Sequence, residues 1–187
     1  MQKNLRIIDP LYGALRPMDK IQPYRLEMAS KGVLSKTEMG GSKTLAEWWK
    51  ESVTSSIVEE LDIRTEGQQT LLNLASDEYS AALKPSAFPN SYKYIKVVFQ
   101  QDGRVIAVHA KRARGLMVRY VAENNISDLS TLKKFNVEGY EFVAKKSTED
   151  RLVFDRSKQL AAQKGTKKTA RSGDEQKRSK RIKREKT

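Results

Sequence analysis

From Lys158 to its last residue the chain carries 12 Lys and Arg against three Asp and Glu, and apolar side chains nearly vanish after Ala162. Such a stretch cannot bury enough surface to repay the entropy of ordering it. Any fold must therefore be built from residues 1–157, with 158–187 expected to be a disordered basic tail. The tail's surplus is +9 of the formal net charge of +13, leaving +4 for the body. A body of this length is in the range of one domain with its own core.

The residues that are missing restrict the chemistry. The sequence has no cysteine and a single histidine, His109. Disulfides, thiol redox chemistry and thiolate metal sites are excluded, as are sites needing two imidazoles, and a Ser/His/Asp triad would have to use that one ring. No apolar run approaches the roughly 20 residues of a spanning helix, and Met1 to Arg6 do not lead into a signal-peptide core. A protein not bound to membrane is expected, in the cytoplasm, or in the nucleus if the tail is an import signal.

Local patterns predict a mixed α and β body, an α+β fold with a mixed sheet and flanking helices. Leu5 to Ile8, closed by Asp9-Pro10, suits a short buried strand, and residues 11–29, broken by Pro17 and Pro23, suit one short turn or helical piece followed by extended chain. Ser30 to Ser42 reads as a glycine-containing loop. Thr44 with Glu47 makes a capping box, followed by Leu45, Trp48, Trp49, Val53, Ile57 and Leu61 at helical spacing. The tryptophans at that spacing are read as core, Trp49 more firmly than Trp48. Thr70 to Ala75 predicts an inner strand leading to a helix start at Ser76. Tyr92 to Phe99 and Arg104 to His109, separated by a turn with Asp102-Gly103, predict a hairpin. Short helical and strand pieces are expected over 128–135, 139–143 and 151–154.

Lys111 to Asn125 reads as a helix with Ala113, Met117 and Tyr120 on its apolar face. The opposite face holds Lys111 and Gly115 near its centre, Arg112 and Arg119 on one flank and Arg114 on the other, with no acid until Glu123. Several cations at fixed spacing satisfy phosphate oxygens, and a helix N-terminus nearby favours anions further. A glycine inside a helix costs about 1 kcal/mol relative to alanine, which makes sense where a ligand or backbone approaches closely. The bland reading is a solvated basic face; four cations without an interleaved acid favour anion binding.

Other groups are less pointed. Arg16, Asp19, Tyr24, Arg25 and Glu27 crowd one segment, where Arg16 and Arg25 pairing with Asp19 and Glu27 would simply set a loop. Glu27 with Asp77 or Glu78 could form a paired-carboxylate site for acid/base work or Mg²⁺ if the fold joined them. His109 is expected on a strand, as a hydrogen-bonded histidine rather than a catalyst. In the tail, Lys167-Lys168 and, ten residues later, Lys180, Arg181 and Lys183 match a two-part import pattern; they would equally serve as a nonspecific DNA-binding arm or as a solubilising tail.

Three segments together, LYGALRPMDKIQPYRLEM (11–28), NLASDEY (73–79) and AKRARGLMVRY (110–120), followed by FNVEGYEF and RLVFDR, resemble the YaaA family of peroxide-stress proteins. The resemblance spans Leu5 to about Arg156, a single family-specific domain over 1–157. It implies a cytosolic protein protecting against hydrogen peroxide, associated with limiting iron-dependent DNA damage, that binds DNA through a basic cleft. Carried over by motif, Arg16, Arg25, Lys111, Arg112, Arg114 and Arg119 are candidate phosphate contacts, with Tyr24 and Gly115 as positioning residues. Family members begin with a further α/β segment bearing a serine-proline-alanine-lysine-threonine-leucine pattern that is missing here, so the chain reads as a member lacking its N-terminal segment. The basic tail is a second departure.

The leading expectation is therefore a DNA-binding stress protein that grips the phosphate backbone nonspecifically and needs no cofactor or resident metal, with enzymatic activity left open and a non-enzymatic role favoured. The competing expectation is an enzyme acting on a phosphate-containing or nucleic-acid substrate, with Glu27, Asp77 or Glu78 as acid/base or metal ligand and the arginines as a clamp.

Overall fold

The capping box and apolar spacing after Thr44 produce the expected helix in the computed structural model of the chain, which describes residues 1–35, 42–61 and 69–158. The expected tail, apart from Lys158, and part of the glycine-containing loop lie outside the described residues. The chain divides into two compact units: Met1–Val97 with Glu149–Arg151, and Val98–Thr148 with the residues from Leu152 on.

In the first unit, strands β1 (Ile7–Asp9) and β2 (Gly13–Leu15) form an antiparallel ribbon. Its turn is made by a side chain: Asp9 Oδ1 accepts from the backbone N–H groups of Leu11 and Tyr12, each at 2.8 Å. The expected buried strand is thus shorter and less buried than its sequence suggests, with Ile7 47% exposed. β2 was not foreseen; a three-residue strand is too short to show alternation, and the Asp9 turn rather than its own pattern creates it. Helix α1 (Leu45–Glu60) starts where Thr44 Oγ1 accepts from the Glu47 N–H at 3.1 Å. Its inner face supplies Leu45 and Ala46 to a cluster with Met28 and Ala82, and Val53 to a second with Leu83 and Phe88. Trp49 packs against both clusters as a core residue, while Trp48 is 38% exposed. Strand β3 (Gln69–Asn73) leads through the short helix α2 (Asp77–Ser80) to β4 (Tyr92–Gln101), and β3 and β4 pair in parallel from Gln69↔Tyr92 to Asn73↔Lys96.

The second unit holds the end of β4, helix α3 (Ala107–Glu123), the short helix α4 (Leu129–Leu132), strand β5 (Glu141–Phe142) and all of strand β6 (Arg151–Arg156) but its first residue. β5 and β6 pair antiparallel, and the strand order is β3-β4-β6-β5. The mixed parallel and antiparallel sheet with helices is the α+β fold expected. Phe99, Phe135, Tyr140 and Phe154 form an aromatic core, with centroid separations of 5.3 to 6.0 Å. Ala110, Ala113 and Met117 are the buried residues of α3.

One expected element does not form. Asp102 (φ 50°) and Gly103 (φ 77°) make the turn, and Gln101 bridges Arg104, but no second hairpin strand follows. Val105 is 57% exposed, and the chain enters α3 at Ala107, four residues before the expected start. Ala110 extends the Ala113 and Met117 stripe one turn back, and burial of that stripe overrides the local β preference of Val105 to Val108. His109 accordingly lies in the first turns of a helix, where its backbone oxygen accepts from the Tyr140 hydroxyl at 3.5 Å.

Candidate nucleic-acid interface

Because α3 turns Ala110, Ala113 and Met117 inward, helical geometry sends Lys111, Arg112, Gly115 and Arg119 outward, and all four are exposed. Arg114 is half-buried at the flank. Lys111 makes no ion pair among the described residues. Arg119 Nε stands 3.8 Å from Glu123 Oε1, both side chains being more than two-thirds exposed, so this contact restrains the arginine little. A Cβ built on Gly115 would meet nothing within 4 Å, so the helix backbone there is bare. Ile106, at the N-cap, offers no side-chain acceptor to the free N–H groups of the first turn. Cations, an open backbone and an uncapped N-terminus favour an anion on this face.

Within the helix no acid interrupts this face before Glu123, as expected, but Glu138 reaches it from another element, the 3₁₀ turn Val137–Gly139. Arg112 donates from Nε to Glu138 Oε1 and Oε2 at 2.8 and 2.9 Å, and from Nη2 to Oε1 at 2.5 Å. These bonds raise the pKa of Arg112. Arg156 Nη1 lies 3.6 Å from the same carboxylate, with its own side chain only 7% exposed. Sequence reasoning missed Glu138 and Arg156, because their partners lie 26 and 18 residues away and follow no local period. The one local signal was Glu-Gly in FNVEGYEF, a step that often carries positive φ.

Arg16, Tyr24 and Arg25 belong to the first unit, whereas Lys111, Arg112, Arg114, Gly115 and Arg119 belong to the second. Arg16 pairs with Glu60 at 2.9 Å through Nη2, not with Asp19 as a loop-setting role required; Asp19 takes the Arg16 backbone N–H instead, at 2.8 Å. Arg6 pairs with the other oxygen of Glu60. Arg25 is exposed, with no ion pair among the described residues. The Tyr24 hydroxyl donates to Asp9 Oδ2, and burial followed by this carboxylate pushes the phenol pKa up. Tyr24 therefore steadies the turn into β2.

The three carboxylates of the enzyme reading are placed as follows. Asp77 is ion-paired with Lys96 at 2.5 Å, Glu78 accepts from the Ala29 N–H at 2.8 Å, and Glu27 is exposed. Among the described residues no group of three or more His, Cys, Asp and Glu is placed to hold a metal ion. No described helix is long and apolar enough to cross a membrane.

A family model described as peroxide stress protein YaaA matches residues 1–146. A UPF0246 protein of Aliivibrio fischeri strain MJ11 is 41% identical over 162 residues, covering 84% of this chain and 59% of that protein. Its counterpart in strain ATCC 700601 / ES114 is 40% identical with the same coverage. The chain thus spans about 59% of the length of these curated relatives.

Proposed function

Because the chain belongs to the YaaA family of peroxide stress proteins, we propose that it acts in the response to hydrogen peroxide as a DNA-binding protein. It holds the phosphate backbone on the outer face of α3 without reading base sequence. The observation that carries this reading is the run Lys111, Arg112, Gly115 and Arg119, exposed together on one helix face with a bare backbone between the cations. Such a face fits a row of phosphates, which reward charge and reach rather than base-edge geometry. Arg16 and Arg25 in the first unit are additional phosphate contacts, and the basic tail strengthens binding nonspecifically. A part in limiting iron-dependent damage to DNA follows from the family resemblance alone.

Salt dependence tests this. Each phosphate neutralised on duplex DNA contributes about 0.9 to the slope of log K against log salt. Replacing Lys111 and Arg119 by alanine in the full chain should therefore flatten the slope by about 2. An unchanged slope would reject α3 as the binding face.

A further inference from the structure

We propose that Glu138 is a positioning residue that fixes the guanidinium of Arg112 for a phosphate; the inference rests on the DNA-binding reading of α3. An exposed arginine samples many rotamers, and ordering it on binding costs affinity. Arg112 escapes this although its side chain is 60% exposed, because Nε and Nη2 are bonded side-on to one carboxylate. The N–H groups of Nη1 and the outer hydrogen of Nη2 remain, and they form the end-on edge that grips a phosphate in a bidentate manner.

The anchor itself is held from beneath. Arg156, 7% exposed, approaches Glu138 Oε2 through Nη1, donates from Nε to Gln101 Oε1 at 3.1 Å, and lies 4.7 Å above the Tyr140 ring. Glu138 also adopts φ 54°, followed by Gly139 at φ 81°. A left-handed backbone at a residue with a Cβ is costly, and its persistence needs a compensating interaction. The chain Arg156–Glu138–Arg112 carries a net charge of +1, so the glutamate orients the outer arginine without cancelling the site's attraction for anions.

The first unit repeats the device independently. Glu60 joins Arg6, 15% exposed, to Arg16, 47% exposed. In both units a candidate phosphate contact is tied through a glutamate to a more buried arginine.

Masking makes the opposite forecast. If Glu138 merely neutralises Arg112, Glu138→Gln adds a positive charge and DNA affinity rises. If it positions Arg112, Glu138→Gln lowers affinity by about fivefold to tenfold at fixed salt despite the added charge, a coupling typical of contacting residues. Arg112→Ala should then cost little more in that background, whereas Lys111→Ala should cost as much as in the unaltered protein. General unfolding would weaken both equally and would overturn the inference, as would a rise or no change in affinity. A measurement free of DNA runs in parallel: the Arg112 Nε–H signal in a ¹⁵N spectrum of the full chain should lose exchange protection in Glu138→Gln, and an unaltered signal overturns the tether. DNA binding that is indifferent to Lys111 and Arg119 would instead reject the DNA-binding reading, leaving the tether to be decided by the arginine spectrum.

Discussion

Gly13 lies directly against the indole of Trp49: a Cβ on Gly13 would stand 2.9 Å from Cζ3 of that ring. The same indole donates from Nε1 to the Pro10 carbonyl at 2.9 Å, so withdrawing the ring would strain or break that bond. Gly13 also has φ 79°, where a side chain is disfavoured. Gly13→Ala combines left-handed strain with overpacking and should destabilise the fold by about 2 to 4 kcal/mol. Urea unfolding checks this; a loss below about 0.5 kcal/mol would show that the ribbon and α1 are not locked together.

Gly115→Ala separates fold from function. With open space around the new methyl group, the substitution should stabilise α3 by about 0.5 to 1 kcal/mol. If DNA approaches the bare backbone, the same change should weaken binding several-fold. Thermal unfolding and DNA titration on one sample would show opposite signs; a gain in both would remove Gly115 from the interface.

Tyr24 gives the alkaline side of stability a definite shape. Its folded-state pKa is raised, first by burial and then by Asp9, so the folded state holds the phenolic proton more tightly than the unfolded chain. That stability is complete below the ordinary phenol value of about 10 and is lost as pH rises through the higher folded value. Tyr24→Phe should cost about 1 kcal/mol at neutral pH and reduce the alkaline loss, to which Tyr79, Tyr94 and Tyr140, also raised by burial, contribute the remainder. An unaltered alkaline limb in the variant would show that Asp9 and Tyr24 are not coupled.

Asp128 acts at the acidic side. Bonds from the Ser130 hydroxyl and the Thr131 N–H hold its pKa down, from 3.8 to about 2. The carboxylate therefore stabilises the start of α4 above the ordinary value and ceases to do so as pH falls through about 2. Asp128→Asn keeps a capping acceptor but cannot titrate, so the difference in unfolding midpoint between the two proteins should vary with pH only below about 4. A difference that is flat over that range would refute the cap.

The elements legible in the sequence were those announced by their own residues. Thr44 and Glu47 named the start of α1, and the Ala113–Met117 stripe named the inner face of α3. What could not be read depended on residues far apart in the chain. Asp9 builds β2 through a side-chain turn, and Ala110 draws Ala107 to His109 into a helix despite their neighbours' β preference. The outward cations of α3 were legible because helical periodicity alone determines them. Their electrostatic setting was not, because Glu138 and Arg156 arrive from other elements and leave no period to detect. The family motifs marked the segment containing Glu138 without saying what its carboxylate does.

The helical placement of His109 has a practical consequence. It is the only imidazole in the sequence, and it sits two and three residues before Lys111 and Arg112 in the first turns of α3. The molecule thus carries one native spectroscopic probe beside its basic face. A single pair of ring resonances, assigned without mutagenesis, can report when that end of the helix meets an anion, with no label to disturb the surface being observed.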